Sequence, residues 1–255
     1  MIDSTMIRHI LERITVRGAD DGERFTDTAR VDAIASSLSS SDWRLYVDGA
    51  LAKIYAHSDF DPKRPVVIVS SHVDMVADRC YADCSGKMWQ GTFDNLITNA
   101  VVVACMMENS FGTNVLVAFT GDEEDESGGA DEVIETLDHK GIAIQRVVVT
   151  DVTEEGWENT KSFSIENVLP EGLRTNQQRV IAALRAAVSS IDADPCVVAD
   201  GEEDEAWEYD EYDLPCCSVC LPCCGDMHSE IGVTIRADSL CDYARALVAI
   251  IADVN

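Results

Sequence analysis

The chain has 255 residues and a mass of 27.8 kDa, the size of one or two domains, and 46% of its residues are hydrophobic, enough for a sizeable core. Its 19 Lys and Arg are outnumbered by 47 Asp and Glu, which leaves a net charge of −28. This charge excludes a general nucleic-acid binder, because phosphate neutralisation needs clustered Lys and Arg, and it disfavours an anionic membrane surface as a partner.

The N-terminal segment has no basic start followed by an apolar core, so no secretory signal peptide is expected. No apolar run approaches the roughly 20 residues of a membrane span. Without a secretion signal, the ten cysteines indicate reduced thiols, and we expect a cytoplasmic protein. The excess of carboxylates is typical of a solvated surface, and some of them could also bind cations.

The N-terminal region predicts two helices followed by a hairpin. In the first helix, which Asp3 or Ser4 can cap, one face carries Met6, Ile7, Ile10, Leu11 and Ile14. In the second helix, the corresponding apolar residues are Val31, Ile34, Ala35 and Leu38. Trp43, Leu45 and Val47 then alternate with polar residues, which predicts a half-buried strand, and residues 50–56 are its expected hairpin partner.

Three later runs are short, continuously apolar and rich in valine: Pro65–Val69, Val115–Phe119 and Val147–Val149. This pattern is typical of parallel strands that are buried on both faces. Helical segments are predicted at about 95–107, 129–139, 180–188 and 240–251, the last one capped by Asp238. Alternating strands and helices predict an α/β fold, namely a three-layer α/β/α sandwich around a central mixed, largely parallel sheet.

Metal-competent side chains follow each of the three valine-rich runs. His72 and Asp74 follow the first run, Glu123 and Glu124 the second, and Asp151 the third. In open α/β sheets, ligands bind at the carboxyl ends of parallel strands, so the three ends together favour a shared cation site. Taken one at a time, each residue is more simply explained as a helix cap or a turn residue.

Two residues elsewhere in the chain could complete such a site. Asp94 lies immediately before an apolar helix, where its simplest role is that of an N-cap. His228 precedes a strand-like run and could by itself be a surface residue. With them, the candidate ligands are two imidazoles and several carboxylates.

Five segments around these residues carry a family resemblance: SSHVDMV, GTFDN, FTGDEEDESGGA, VVVTDVTEEG and GDMHSEIGV. Each is a weak motif alone. In this order they resemble the co-catalytic zinc aminopeptidases and the related zinc carboxypeptidases and deacylases, the metallopeptidases of the M28, M20 and M42 type. The resemblance extends from about Pro65 to the C-terminus and implies the phosphorylase/hydrolase-like fold of zinc peptidases.

The resemblance implies a site for two metal ions, with Asp94 as the bridging ligand. His72 and Asp151 would complete the first site. Glu124 and His228 would complete the second. Two imidazoles and three carboxylates suit two divalent cations, since the three negative charges offset most of the four positive ones. We expect two Zn²⁺ ions, although Co²⁺ or Mn²⁺ could occupy the same ligands.

The same resemblance implies two catalytic residues. Glu123 would be the general base that takes a proton from the attacking water and passes it to the leaving amine. Asp74 would hold the second ring nitrogen of His72 and so orient that ligand. The peptide bond between Asp94 and Asn95 is cis in many relatives, and a cis bond is expected here.

Some relatives carry an inserted domain that serves for dimerisation or as a lid. The 22-residue spacing from His72 to Asp94 leaves no room for such a domain, and the segment before His228 is also too short. We therefore expect residues 1–255 to form a single catalytic domain with no inserted dimerisation or lid domain.

The predicted function is a metal-dependent hydrolase of peptide or amide bonds. The compact size and the Asp94–Asn95 pair favour an aminopeptidase, while a zinc carboxypeptidase or an N-deacylase stays open. The expected substrate is a peptide or an N-acyl amino acid, and neither nucleic acid nor a membrane is expected as a partner. The oligomeric state is left open.

Five cysteines crowd the segment from Cys216 to Cys224. Their C-x-x-C spacing is used by structural zinc sites and redox dithiols. The simpler interpretation is a buried strand in which cysteine acts as a small hydrophobic residue. A non-enzymatic metal or thiol protein that uses this cluster is therefore the alternative function from a different class.

The acidic run from Glu202 to Asp213 is expected to be a solvated loop or helix face. It could instead receive the free α-amine of a substrate, but no individual amine-binding residue is predicted.

Overall fold

The computed structural model describes residues 2–16, 29–166, 174–191, 195–198 and 204–252. The helices in these ranges are α1 (Ser4–Ile14), α2 (Ala29–Leu38), α3 (Leu96–Met107), α4 (Gly128–His139), α5 (Arg174–Ser189), α6 (Ala206–Glu211) and α7 (Ser239–Ala252). The strands are β1 (Trp43–Asp48), β2 (Ala52–His57), β3 (Val66–His72), β4 (Ala82–Asp83), β5 (Met88–Gly91), β6 (Val115–Thr120), β7 (Ile144–Thr153), β8 (Ser164–Glu166), β9 (Cys196–Val198), β10 (Cys216–Gly225) and β11 (Val233–Arg236). None of these helices is long and apolar enough to cross a membrane.

The strands form one sheet in the order β1-β2-β6-β3-β7-β10-β11-β5-β4, and β8 and β9 extend it beside β10. The four central strands β6, β3, β7 and β10 are parallel neighbours. The hairpin of β1 and β2 joins this centre because β2 pairs antiparallel with β6. The sheet is therefore mixed and parallel at its centre, as predicted.

Helices cover both faces of the sheet. Along β3, Val67 and Val69 face one hydrophobic core, whereas Val66 and Ile68 face the other. The first core is closed by α1, α2, α3, α5 and α7, and the second by α4 and α6. The continuous valine runs follow from this, because a strand covered on both sides buries every side chain. The predicted three-layer α/β/α sandwich is confirmed.

The N-terminal predictions hold in outline and differ in detail. Asp3 caps α1 by accepting a hydrogen bond from the backbone N–H of Met6 at 2.9 Å. In the second helix, Ala35 is exposed, although its predicted position was on the buried face. In edge strand β1, Leu45 is 46% exposed, because the pairing with β2 shifts register between Leu45 and Val47 and interrupts the predicted alternation.

The cysteine-rich segment is the buried strand β10. Cys217 and Cys223 face the first core, whereas Cys216 faces the second. Successive strand residues point to opposite faces, so two thiols in C-x-x-C spacing on a straight strand cannot converge on one ion. All ten cysteines are free. Within the described ranges, none of the side-chain groups with metal-binding geometry includes a cysteine.

Candidate metal centre

The parallel strands bring the candidate ligands to one edge of the sheet. His72 is the last residue of β3, and Glu123 and Glu124 follow the neighbouring strand β6. Asp151 lies within β7, which extends past the valine run to Thr153, so this residue is inside the strand and not after it. The prediction that the carboxyl ends of these strands share one site agrees with this placement.

The two remaining candidate ligands come from segments that approach this edge. Asp94 precedes α3, but the helix cap is Asn95, so the simpler N-cap role does not apply to Asp94. The peptide bond between Asp94 and Asn95 is cis, as the resemblance implied. His228 lies in the turn between β10 and β11, and its side chain is 56% exposed.

The ligand atoms of the five predicted metal-binding residues form two groups that share Asp94, and a third group joins His72 and Glu124 with Glu123. In the first group, Nε2 of His72 lies 3.3 Å from Oδ1 of Asp94 and 3.6 Å from Oδ1 of Asp151. In the second, Nε2 of His228 lies 3.5 Å from Oδ2 of Asp94 and 3.3 Å from Oε2 of Glu124. Asp94 thus turns one oxygen towards each group. Zinc bonds of about 2.0–2.2 Å in a tetrahedron place neighbouring ligand atoms about 3.3–3.6 Å apart, which matches these separations.

Asp74 contacts a candidate ligand on the side away from the centre. Its Oδ1 lies 3.4 Å from Nδ1 of His72, and its Oδ2 accepts a hydrogen bond from the backbone N–H of Glu124 at 3.2 Å. The Nδ1 of His72 and the Oδ1 of Asp74 are buried with no other partner. The carboxylate can therefore hold the imidazole with Nε2 directed at the metal position.

Polar side chains from the first core layer hold the backbone around this edge. The amide of Asn99 on α3 donates to the carbonyl of His72 at 2.7 Å, and the amide of Asn95 donates to the carbonyl of Thr150. The buried guanidinium of Arg30 on α2 donates to the carbonyl of Val73. These bonds fix the ends of β3 and β7 relative to the helices and so position the ligands.

The buried carboxylates of the centre have raised pKa values. Burial raises the pKa of Glu124 to about 7, with a further contribution from the neighbouring charge of Asp94. Burial also raises the pKa of Asp151, and it raises the pKa of Glu123 well above its usual value. Buried carboxylates at such close range need compensating cations to remain ionised.

The pKa values of the two histidines are also raised, by the negative charges around them. The hydrogen bond to Asp94 raises the pKa of His228 to about 9. Burial disfavours the charged form of His72, but the charges of Glu123 and Asp151 outweigh it and raise its pKa well above the usual value. Burial likewise opposes ionisation of Asp94, yet the hydrogen bonds from both histidines hold its pKa below the usual range. Positive charge at the two imidazoles and negative charge at Asp94 therefore stabilise each other.

These observations test whether two divalent cations fit the centre. The donor set is mixed imidazole and carboxylate, Asp94 offers one oxygen to each group, and Oε1 of Glu124 is buried without a hydrogen-bond partner. Carboxylates with raised pKa values surround the same point. The residues present therefore fit two cations of the zinc type.

Metal affinity is expected to rise with pH, because the cations must displace the protons held by His72 and His228. At the group that contains His228, the apparent association constant should rise about tenfold per pH unit between pH 7 and pH 9, and more steeply below pH 7, where Glu124 also binds a proton. Titration with Zn²⁺ against a competing chelator at each pH measures this. The variant His139→Gln, which changes an exposed histidine on α4, should follow the wild-type curve. A flat pH profile would contradict the expectation.

The centre lies in a cleft of about 440 Å³. Beyond the candidate ligands, its walls include Glu166 at the end of β8, Cys220 on β10, and Asp204 and Trp207 at the start of α6.

The prediction of a solvated acidic run agrees with the exposed residues 211–213 but is wrong around the start of α6, where Glu205 and Tyr209 are buried. Tyr209 is buried in the second core, and α6 packs on the sheet beside the cleft. The signal in the sequence was the set of apolar residues that interrupt the acidic run.

Comparisons with known proteins point the same way. The model of peptidase family M20/M25/M40 matches residues 68–253. No curated protein matches the sequence.

Three solved structures illustrate the likeness in fold. Aminopeptidase APDkam598 from the archaeon Desulfurococcus kamchatkensis has a TM-score of 0.75 at 12% identity, over 97% of this chain and 94% of that one. Aminopeptidase PepT from Bacillus cereus has a TM-score of 0.70 at 12% identity, over 99% of both chains. The Pyrococcus horikoshii TET1 peptidase, which can assemble into a tetrahedron or a large octahedral shell, has a TM-score of 0.71 at 11% identity, over 96% of this chain and 99% of that one.

Proposed function

We propose that this chain, which belongs to peptidase family M20/M25/M40 and is a metal-dependent peptidase, is an aminopeptidase. It would release the N-terminal residue of a peptide. The observation that carries the choice of aminopeptidase is the charge of the cleft. The acidic residues that line it are Asp94, Glu123, Glu124, Asp125, Glu126, Asp151, Glu166, Asp204 and Glu208. Among the described residues, the lining includes no Lys or Arg.

This charge favours one end of a peptide over the other. A carboxypeptidase or a deacylase of N-acyl amino acids must bind the free carboxylate of its substrate, which calls for a cationic side chain near the metals. An aminopeptidase must bind a free ammonium group, for which carboxylates are the natural partners. Even after two divalent cations offset four negative charges, the cleft would remain anionic and would attract the N-terminus of a peptide.

We propose that the two groups that share Asp94 each bind one divalent cation, most simply Zn²⁺, with Co²⁺ or Mn²⁺ as substitutes. His72 and Asp151 complete the first group. Glu124 and His228 complete the second. The distances between the ligand atoms and the raised pKa values of the carboxylates support this assignment.

In the proposed mechanism, cations held by these residues would supply the positive charge that polarises the scissile carbonyl and lowers the pKa of water in the site. Glu123, whose carboxylate reaches to 3.9 Å from Nε2 of His72, takes the proton of the attacking water and delivers it to the leaving amine. Asp74 holds the imidazole of His72 in place during this transfer. The anionic walls of the cleft hold the substrate ammonium group.

We further propose that the described strands and helices act as one catalytic unit without an inserted domain. Between His72 and Asp94 the chain forms only the short strands β4 and β5, which join the main sheet through β11. Ten free cysteines also support a reducing compartment such as the cytoplasm.

A set of four substrates tests the proposal. With Zn²⁺ present, leucine amide should be hydrolysed, and N-acetyl-leucine amide should be cleaved at least about a hundredfold more slowly, because acetylation removes the ammonium charge. N-acetyl-leucine tests for deacylation, and a peptide with a blocked N-terminus tests for carboxypeptidase activity. Rates are measured by release of ammonia, acetate or free amino acid.

Cleavage of N-acetyl-leucine faster than leucine amide would replace the aminopeptidase with a deacylase. Faster cleavage of the blocked peptide would replace it with a carboxypeptidase. If none of the substrates is cleaved and oxidation of the thiols changes zinc binding, the alternative of a non-enzymatic metal or thiol protein replaces the peptidase.

A further inference from the structure

The cleft carries two acidic side chains, Glu166 and Asp204, that are neither candidate metal ligands nor part of the proposed proton transfer. Glu166 ends β8 and is only 4% exposed, yet it lines the cleft, and its Oε1 accepts a hydrogen bond from the hydroxyl of Ser164. Asp204 lies just before α6, where its Oδ1 accepts from the backbone N–H of Ala206 at 2.8 Å. Both elements are anchored, so the two carboxylates have defined positions.

The register of the sheet relates Glu166 to the metal centre. Cys220 on β10 lies opposite Asp151 on β7, and two residues earlier Ser218 lies opposite Glu166 on β8. Paired residues share a face of the sheet, as do residues two apart along one strand. Asp151, Cys220, Ser218 and Glu166 therefore lie on one continuous face. Two strand spacings separate β7 from β8, which places Glu166 about 10 Å from the strand that carries the metal ligand.

A buried hydroxyl lies beside one of these carboxylates. Ser218 is fully buried, and its hydroxyl group stabilises the ionised form of Asp204. The neighbouring Cys220, which is 2% exposed, lines the cleft on the same face of the sheet. Asp204 and Glu166 lie close enough for the charge of Glu166 to raise the pKa of Asp204, so a cation that enters this end of the cleft can interact with both.

The charges of Asp204 and Glu166 favour a cationic ligand at this end of the cleft. Burial raises the pKa of Asp204 to about 8, and it raises the pKa of Glu166 as well. In the described part of the chain, no Lys or Arg lines the cleft to compensate them. A cation supplied by a ligand would stabilise both carboxylates in their ionised form.

Distance decides which cation of a substrate can reach these two carboxylates. The α-ammonium group lies next to the scissile carbonyl and so stays near the metals. A lysine or arginine side chain extends roughly 6–7 Å from its Cα, which spans most of the separation between the metal edge and Glu166. The apolar side chains of Val152 and Trp207 also line the cleft and can pack against the alkyl part of such a side chain.

We propose that Glu166 and Asp204 form a subsite for the distal cation of a lysine or arginine at the N-terminus of the substrate, an inference that rests on the proposed aminopeptidase function. The subsite lies on the face that runs from Asp151 across β10 to β8. It makes the enzyme selective for basic N-terminal residues.

Arginine amide and citrulline amide test the subsite, because they are nearly isosteric and differ in charge. With the zinc-loaded wild type, kcat/KM for arginine amide should exceed that for citrulline amide at least about tenfold. Glu166→Gln and Asp204→Asn should each reduce this ratio to below about threefold. The rate of each variant on leucine amide is measured alongside, because an equal fall on every amide would show a general loss of activity and not a loss of selectivity. Glu211→Gln, an exposed change on the same helix α6, should keep the wild-type ratio.

The subsite proposal is overturned if the ratio of arginine amide to citrulline amide kcat/KM is near one in the wild type, or if neither variant changes it. Hydrolysis of leucine amide would still support the aminopeptidase in that case. If no amide is cleaved, the proposed function fails, and the subsite is judged by calorimetric binding of the two amides to the zinc-loaded protein. Equal affinities would then overturn it, and tighter binding of arginine amide that is lost in Glu166→Gln would uphold it.

Discussion

Replacing Glu123 with glutamine is expected to lower kcat by about 10² to 10⁴, while two cations stay bound. The amide keeps the size of the side chain but cannot take a proton from water at neutral pH. In our assignment Glu123 is no ligand, so its replacement leaves both groups of ligands complete. KM should change little, because the carboxylate acts on the attacking water and not on binding of the peptide.

The measurement combines leucine amide kinetics with metal content after dialysis. Glu135→Gln is the matched control, since it makes the same chemical change at an exposed position on α4 and should keep wild-type kinetics. Full activity of Glu123→Gln would refute the mechanism. A variant that loses both activity and one metal would make Glu123 a ligand instead of a base.

Replacing Asp94 with alanine is expected to weaken both cation sites at once and to abolish measurable hydrolysis. Its two oxygens face different histidines, at 3.3 Å from Nε2 of His72 and 3.5 Å from Nε2 of His228. Loss of a partner outside the ligand set costs about 10- to 100-fold in metal affinity, so loss of a shared ligand should cost at least that much at each site. Asp151→Ala, by contrast, should weaken one site only.

Calorimetric zinc titrations of the variants separate these cases. Asp138→Ala, at an exposed position on α4, should bind two ions as the wild type does. Thermal unfolding of the metal-free proteins checks that Asp94→Ala still folds. If Asp94→Ala retains one ion at wild-type affinity, the shared role of this residue is wrong and the two groups are independent.

The buried layers of the fold could be predicted because their pattern is local. In β3 and β6 every side chain is buried and all except the terminal His72 are apolar or small, which only a strand covered on both faces permits. The helix α7 likewise shows its buried face in the spacing of Leu240, Tyr243, Leu247 and Ile251. The ends of the strands are harder to predict from this pattern. The valine run Val147–Val149 covers only the middle of β7, which continues to Thr153.

The edges of the sheet were harder to predict, because an edge strand is paired on one side only. The bulge in β1 that exposes Leu45 arises from its pairing with β2 and has no local signature. The short strands β4, β5, β8 and β9 have two to four residues each, too few for a recognisable alternation. Their positions depend on the longer strands that they join.

The layered fold and the residue types at the ends of three strands can be predicted from the chain alone, since they follow from hydrophobic periodicity and from the order of His, Asp and Glu residues. Which of these residues meet depends on long-range packing. Asp94 and His228 lie 134 positions apart, yet their side chains are 3.5 Å apart, because the parallel strands bring distant segments to one edge of the sheet. Glu166 and Asp204 belong to the cleft for the same reason: the pairing of β8 with β10 and the packing of α6 on the sheet are long-range, so neither residue could be distinguished from a solvated carboxylate in the sequence.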